Sequence, residues 1–220
     1  MNSIRYPLAL LALALLILPL PGGAAAPATP SHPIRVACVG DSITLGVGTH
    51  KPQEESYPAR LQTLLGKRWD VRNFGVGGRT LLRKADAFDY SSALDCKPDV
   101  VIIALGTNDA KTEVWRAHQR EFTDDYVAMI KAFQALPNHP RVWACLPPPA
   151  FPGNFGITED VIRDGVMPGI KKAAQLTGIK LIDFHAPLLG KSSWFPDAIH
   201  PNEAGAKRIA ELVAAELVRH

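Results

Sequence analysis

Residues 36–48 read VACVGDSITLGVG. An unbroken apolar run stops at Gly40, Asp41 and Ser42 follow at once, and Gly46 and Gly48 come close behind. Apolar residues without alternation mark a strand covered on both faces, the habit of parallel sheets. A glycine, an acid and a hydroxyl directly after such a strand mark a tight turn into a helix. A serine there has its hydroxyl exposed beside the positive end of a helix dipole, which favours attack on a carbonyl. A serine that merely caps the helix fits the same position.

The pattern repeats along the chain. Strands are expected over 34–40, 69–75, 99–105, 141–147 and 179–184, separated by helices over 55–66, 122–136, 161–178 and 202–220. In the second of these helices Phe122, Tyr126, Met129 and Phe133 fall on one stripe, as do Ile209, Leu212, Val213 and Leu217 in the last; both stripes read as core. Alternation of this kind builds an α/β sandwich with right-handed crossovers.

With 220 residues, 47% of them hydrophobic and 20% charged, the chain has the composition of one globular domain. Its formal net charge of +3 comes without a Lys/Arg cluster interleaved with aromatics, so nucleic acid is not an expected partner. Arg5, the apolar stretch LALLALALLILPL and the small residues of PGGAAAPATP have the layout of a secretory leader. The leader is expected over 1–28 and the domain over 29–220, in a secreted or periplasmic protein with no stable membrane anchor. Cys38, Cys96 and Cys145 are an odd number, so at least one is unpaired within the chain, and all three read as structural.

Parallel α/β sheets carry their chemistry at the carboxyl ends of the strands. The second strand end, NFGVGGRT (73–80), holds Gly75, Gly77 and Gly78 and lacks the G-K-[ST] of a phosphate loop. At the third, Gly106-Thr107-Asn108-Asp109 offers an Asn amide as donor and an Asp for the turn. Near the C-terminus, Asp197 and His200 stand three residues apart before Pro201, which keeps His200 out of the following helix and leaves Asn202 to cap it. An imidazole with a carboxylate at short spacing is a general base with its orienting partner. His50, His118, His139 and His185 read as surface residues. Asp197 with His200 is at most half a zinc site, because no other His or Cys stands at ligand spacing, so no metal or cofactor is expected.

Gly40-Asp41-Ser42, Asn73-Phe74-Gly75-Val76-Gly77-Gly78, Gly106-Thr107-Asn108-Asp109 and Asp197-Ala198-Ile199-His200 together resemble the four blocks of the SGNH hydrolases, the GDSL esterases, in the family's order. The resemblance implies a three-layer α/β/α sandwich with a five-stranded, mainly parallel sheet of flavodoxin-like type. It also implies Ser42 as nucleophile, His200 as general base and Asp197 as its orienting acid. The oxyanion hole would comprise the Ser42 N–H, a glycine N–H (Gly78, with Gly77 the alternative) and the Asn108 side chain. Ile43 stands where the family name has Leu, an apolar exchange that leaves the triad intact.

The longer strings, among them YPARLQTLLG and FPDAIHPNEAGA, are similar to the bacterial sialate and carbohydrate O-acetylesterase branch. The expected activity is hydrolysis of short-chain esters, on a small-molecule or carbohydrate substrate. The same scaffold hosts lysophospholipases and arylesterases, and a module that only binds glycans is the alternative of another class. The loop PPPAFPGNFGI (147–157) stands where it would line an acyl pocket, and Trp115, Trp194 and Phe195 are candidates to stack on a sugar.

Overall fold

The apolar runs form five strands: β1 (Ile34–Gly40), β2 (Trp69–Gly75), β3 (Val100–Ala104), β4 (Arg141–Leu146) and β5 (Lys180–Asp183). All four pairings are parallel, and the order across the sheet is β2-β1-β3-β4-β5. The computed structural model describes residues 1, 32–82, 89–153 and 155–219, so the expected leader lies outside the described residues apart from its first. From residue 32 on, the described chain belongs to one contact unit, Ser31–His220.

Successive strand residues point to opposite faces, and two cores result. Ala37, Val39, Val101, Ile103, Val142 and Ala144 face one side, and Val36, Cys38, Val100, Ile102, Trp143 and Cys145 face the other. The helices along the chain are α1 (Ser42–Leu45), α2 (Pro52–Glu55), α3 (Tyr57–Leu65), α4 (Ser91–Asp95), α5 (Thr112–Gln134), α6 (Glu159–Val161), α7 (Met167–Thr177) and α8 (Glu203–Val218). The stripe of α5 closes the first core together with Ile170 and Ala173 of α7. Tyr57 and Leu61 of α3 close the second with Ile209, Val213 and Leu217 of α8. This is the three-layer α/β/α sandwich.

Two elements depart from the expected pattern. Helix α5 begins at Thr112 rather than 122, because its first turns are largely exposed and carry no stripe to read. The helix expected over 161–178 is α6 and α7 joined by a π turn, Ile162–Val166. Gly165 in that turn faces Trp115, whose indole would stand 2.5 Å from a Cβ there.

Candidate active site

Strand order reverses between β1 and β3, and the crevice at their carboxyl ends is where such sheets bind ligands. Ser42 follows β1 there and Asn108 follows β3. Gly40 makes the first turn possible: a Cβ on it would lie 2.0 Å from Thr44 Oγ1 and 2.7 Å from the Ala104 carbonyl. Asp41, not Ser42, is the N-cap of α1, accepting from the Ile43 N–H at 2.9 Å. The serine hydroxyl is therefore free of capping duty.

That hydroxyl meets the loop before α8. His200 Nε2 lies 2.8 Å from Ser42 Oγ, and His200 Nδ1 lies 2.6 Å from Asp197 Oδ2. A carboxylate only accepts, so Nδ1 carries the proton and Nε2 presents its lone pair to the serine. Asp197 Oδ1 also accepts from the N–H groups of Ile199 (3.1 Å) and His200 (2.7 Å), which fixes the loop around the imidazole. Partial burial pushes the Asp197 pKa up, but the bonds from His200 and Ile199 outweigh that and hold the carboxyl below the usual carboxylate range. Asn202 caps α8 through the N–H groups of Ala204 and Gly205.

The expected oxyanion donors are Gly78, Ser42 and Asn108. Gly78 has φ +73 and an open, exposed environment. Among the described residues neither its N–H nor that of Ser42 is bonded to a protein acceptor. Asn108 is buried, and its Nδ2 donates to the Arg79 carbonyl at 3.1 Å. An amide has two hydrogens, so the second is available to a ligand while the first ties Asn108 to the glycine loop.

Two buried acids lie behind these groups. Asp41 is pushed up to about 6 by burial, moderated by the Ile43 N–H and the charge of His200. Asp109 does more than turn the chain: its Oδ1 accepts from the Leu81 N–H at 2.9 Å, a second tie from β3 to the glycine loop. Burial pushes it up to about 7 against the pull of that bond, with Asp41 adding to the rise.

His185 is not the surface residue expected from the sequence. His185 is buried, with Nε2 2.7 Å from Glu159 Oε1, and Glu159 Oε2 accepts from the Ala150 N–H at 2.9 Å. The pair ties the proline loop to the end of β5, and a separation of 26 residues left no local signal. The aromatic candidates are also engaged in packing. Trp115 lies edge-on to Phe122 at 5.3 Å, Phe195 is buried against Phe151, and Lys191 stands over Trp194. Among the described residues, Asp197 and His200 gather no third side chain of ligating type. His50, Glu55 and Glu203 do come together, within 4.8 Å, where His50 Nδ1 and N–H meet Glu203 Oε1 and the Lys51 N–H meets Glu55 Oε2.

The GDSL-like Lipase/Acylhydrolase family model matches residues 38–208. An acetylxylan esterase of Xylanibacter ruminicola is 41% identical over 215 residues, which take in 87% of this chain and 44% of that protein. The chain thus spans less than half the length of that curated relative. A solved G-D-S-L family protein from Desulfitobacterium hafniense is 27% identical, with a TM-score of 0.62 over 83% of this chain and 98% of that one. A carbohydrate acetylesterase from Sinorhizobium meliloti shares the fold at 19% identity, with a TM-score of 0.67 over 84% of this chain and 98% of that one.

Proposed function

The chain belongs to the GDSL-like Lipase/Acylhydrolase family, and we propose that it is a serine esterase that works outside the cytoplasm and removes short acyl groups, acetyl first among them, from carbohydrate hydroxyls. The observation that carries this reading is the unbroken relay from Asp197 through His200 to Ser42, with both links under 3 Å. In the first half-reaction Ser42 Oγ attacks the ester carbonyl while His200 Nε2 takes its proton. The carbonyl oxygen becomes an anion facing the Ser42 and Gly78 N–H groups and the Asn108 amide. Collapse expels the alcohol, which takes the proton back from His200, and leaves an acyl-Ser42 ester. Water, deprotonated by the same imidazole, then releases the acid and restores the serine.

The acetyl and carbohydrate parts of the reading lean on the acetylxylan esterase likeness. The location leans on the leader-like sequence over 1–28. No helix among the described residues is long and apolar enough to cross a membrane.

Rates on p-nitrophenyl acetate, octanoate and palmitate test the reading. Acetate is expected to be the best of the three, and Ser42→Ala to reduce its hydrolysis to near background. Preference for the long chains would reject the acetylesterase, and undiminished activity in Ser42→Ala would reject the nucleophile.

A further inference from the structure

Phe155 is the one aromatic ring among the exposed large apolar residues described, and 52% of it is open to solvent. Its ring centroid stands 5.8 Å from that of His200, with the planes at 83°. Its backbone has φ +71, in the left-handed region that bulky side chains rarely adopt and that persists only where the surroundings enforce it. The surroundings do so from both ends of the loop. The Phe151 N–H donates to the Ala198 carbonyl at 2.9 Å, and a Cβ on Gly153 would meet Ala198 Cβ at 2.5 Å. Beyond the ring, the Thr112 N–H donates to the Gly156 carbonyl at 3.0 Å, Lys111 bridges to Ile157, and Ile157 is buried. A strained, doubly anchored backbone therefore holds up an apolar ring that core packing leaves half exposed.

An open groove of about 420 Å³ runs from Phe155 over the start of α5, past Lys111, Thr112, Glu113, Val114 and Arg116. Its volume is that of a ligand site, and it joins one apolar face to a few polar groups of mixed character. We propose that this groove is a subsite for a sugar chain, with Phe155 as the platform for the ring that carries the scissile ester. A pyranose shows a face of C–H bonds, which the negative face of an aromatic ring attracts, and a rim of hydroxyls. The hydroxyl of Thr112, the carboxylate of Glu113 and the cations of Lys111 and Arg116 match that rim. Because Phe155 adjoins His200, a sugar stacked on it brings its ester to Ser42, and its neighbours in the chain extend along α5. The proposal rests on the esterase reading and adds to it that the alcohol half of the ester is an oligosaccharide or polysaccharide.

The test compares kcat/KM on acetylated xylose, acetylated xylo-oligosaccharides of increasing length and p-nitrophenyl acetate. In the unaltered protein kcat/KM is expected to rise with ring number. Phe155→Ala should lower the ratio of oligosaccharide to p-nitrophenyl acetate rates by about five- to tenfold, mainly through KM, and Phe155→Tyr should restore it. Arg116→Ala, which does not adjoin His200, should flatten the dependence on length. A rate independent of ring number in the unaltered protein would overturn the subsite. So would a Phe155→Ala loss equal on both esters, the result for a ring that only packs on His200. Failure of the esterase reading looks different: no hydrolysis of p-nitrophenyl acetate, or hydrolysis that survives Ser42→Ala.

Discussion

Asn108 serves two neighbours at once. One amide hydrogen holds the Arg79 carbonyl, and the other is the one the proposed mechanism assigns to the oxyanion. Asn108→Ala is expected to lower kcat by about 10²- to 10³-fold, the usual effect of losing one oxyanion donor. KM should change little, whereas a raised KM with kcat held would make Asn108 a binding residue. Its neighbour Asp109 sets a pH dependence. The Asp109 carboxyl, pushed up to about 7 by burial, is neutral in acid and charged at pH 8, and its Oδ2 has no described hydrogen-bond partner. Because the unfolded chain releases that proton near pH 4, the folded state binds more protons in between, and stability falls as pH rises from about 4 to about 7. Asp197 and Glu203, whose carboxyls are held low, act in the opposite sense as pH climbs through their acid range. Asp109→Asn isolates the buried acid, since the amide oxygen can still accept from Leu81. Its Tm relative to the unaltered protein should increase between pH 5 and pH 8, and a constant difference would contradict the assignment.

At the level of elements, the site depends on how closely the turn after β1 approaches the end of β2. A Cβ on Gly75 would fall 2.2 Å from the Leu45 backbone nitrogen, so β2 and α1 meet backbone to backbone. Asn73 adds a bond from its Nδ2 to the Thr44 carbonyl at 2.8 Å. Gly75→Ala is expected to cost about 1–3 kcal/mol, as overpacking does, and to lower Tm by about 5 °C. It should lower kcat further still, because the displaced backbone belongs to the one-turn helix that carries Ser42. A variant that melts early yet turns over normally would separate the packing from the site. This contact also shows what sequence reading can reach. NFGVGG announced a close approach through its glycines, but not the element it approaches. In the same way, the first turns of α5 gave no periodic signal, because most of that stretch is exposed even though Trp115 packs on Phe122. The capping question at Ser42 was open for a related reason: Asp41 and Ser42 are both good caps, and only the turn geometry assigns the task to Asp41.

For the whole molecule, strand runs and helix stripes made the layers legible, since burial on both faces leaves its mark residue by residue. The pairing of Ser42 with His200, 158 residues apart, is a product of topology and was legible only through the family resemblance. Contacts such as Glu159 to His185 had neither period nor motif to betray them. The cysteines offer a test of the sheet as one cooperative unit. Cys38 on β1 and Cys145 on β4 are free and buried in the same core, on strands separated by β3, while Cys96 is only partly covered. Burial pushes the Cys38 thiol up to about 12 and Cys145 well above the ordinary range, so neither offers a thiolate to a reagent while folded. One thiol, Cys96, should react in native buffer and all three in denaturant. Central strands open only with the whole fold, so labelling of Cys38 and Cys145, followed by peptide mass, should proceed at one shared rate with the same dependence on denaturant. Faster labelling of Cys145 would mean that β4 and β5 open without β1, and the sheet would then comprise two units rather than one.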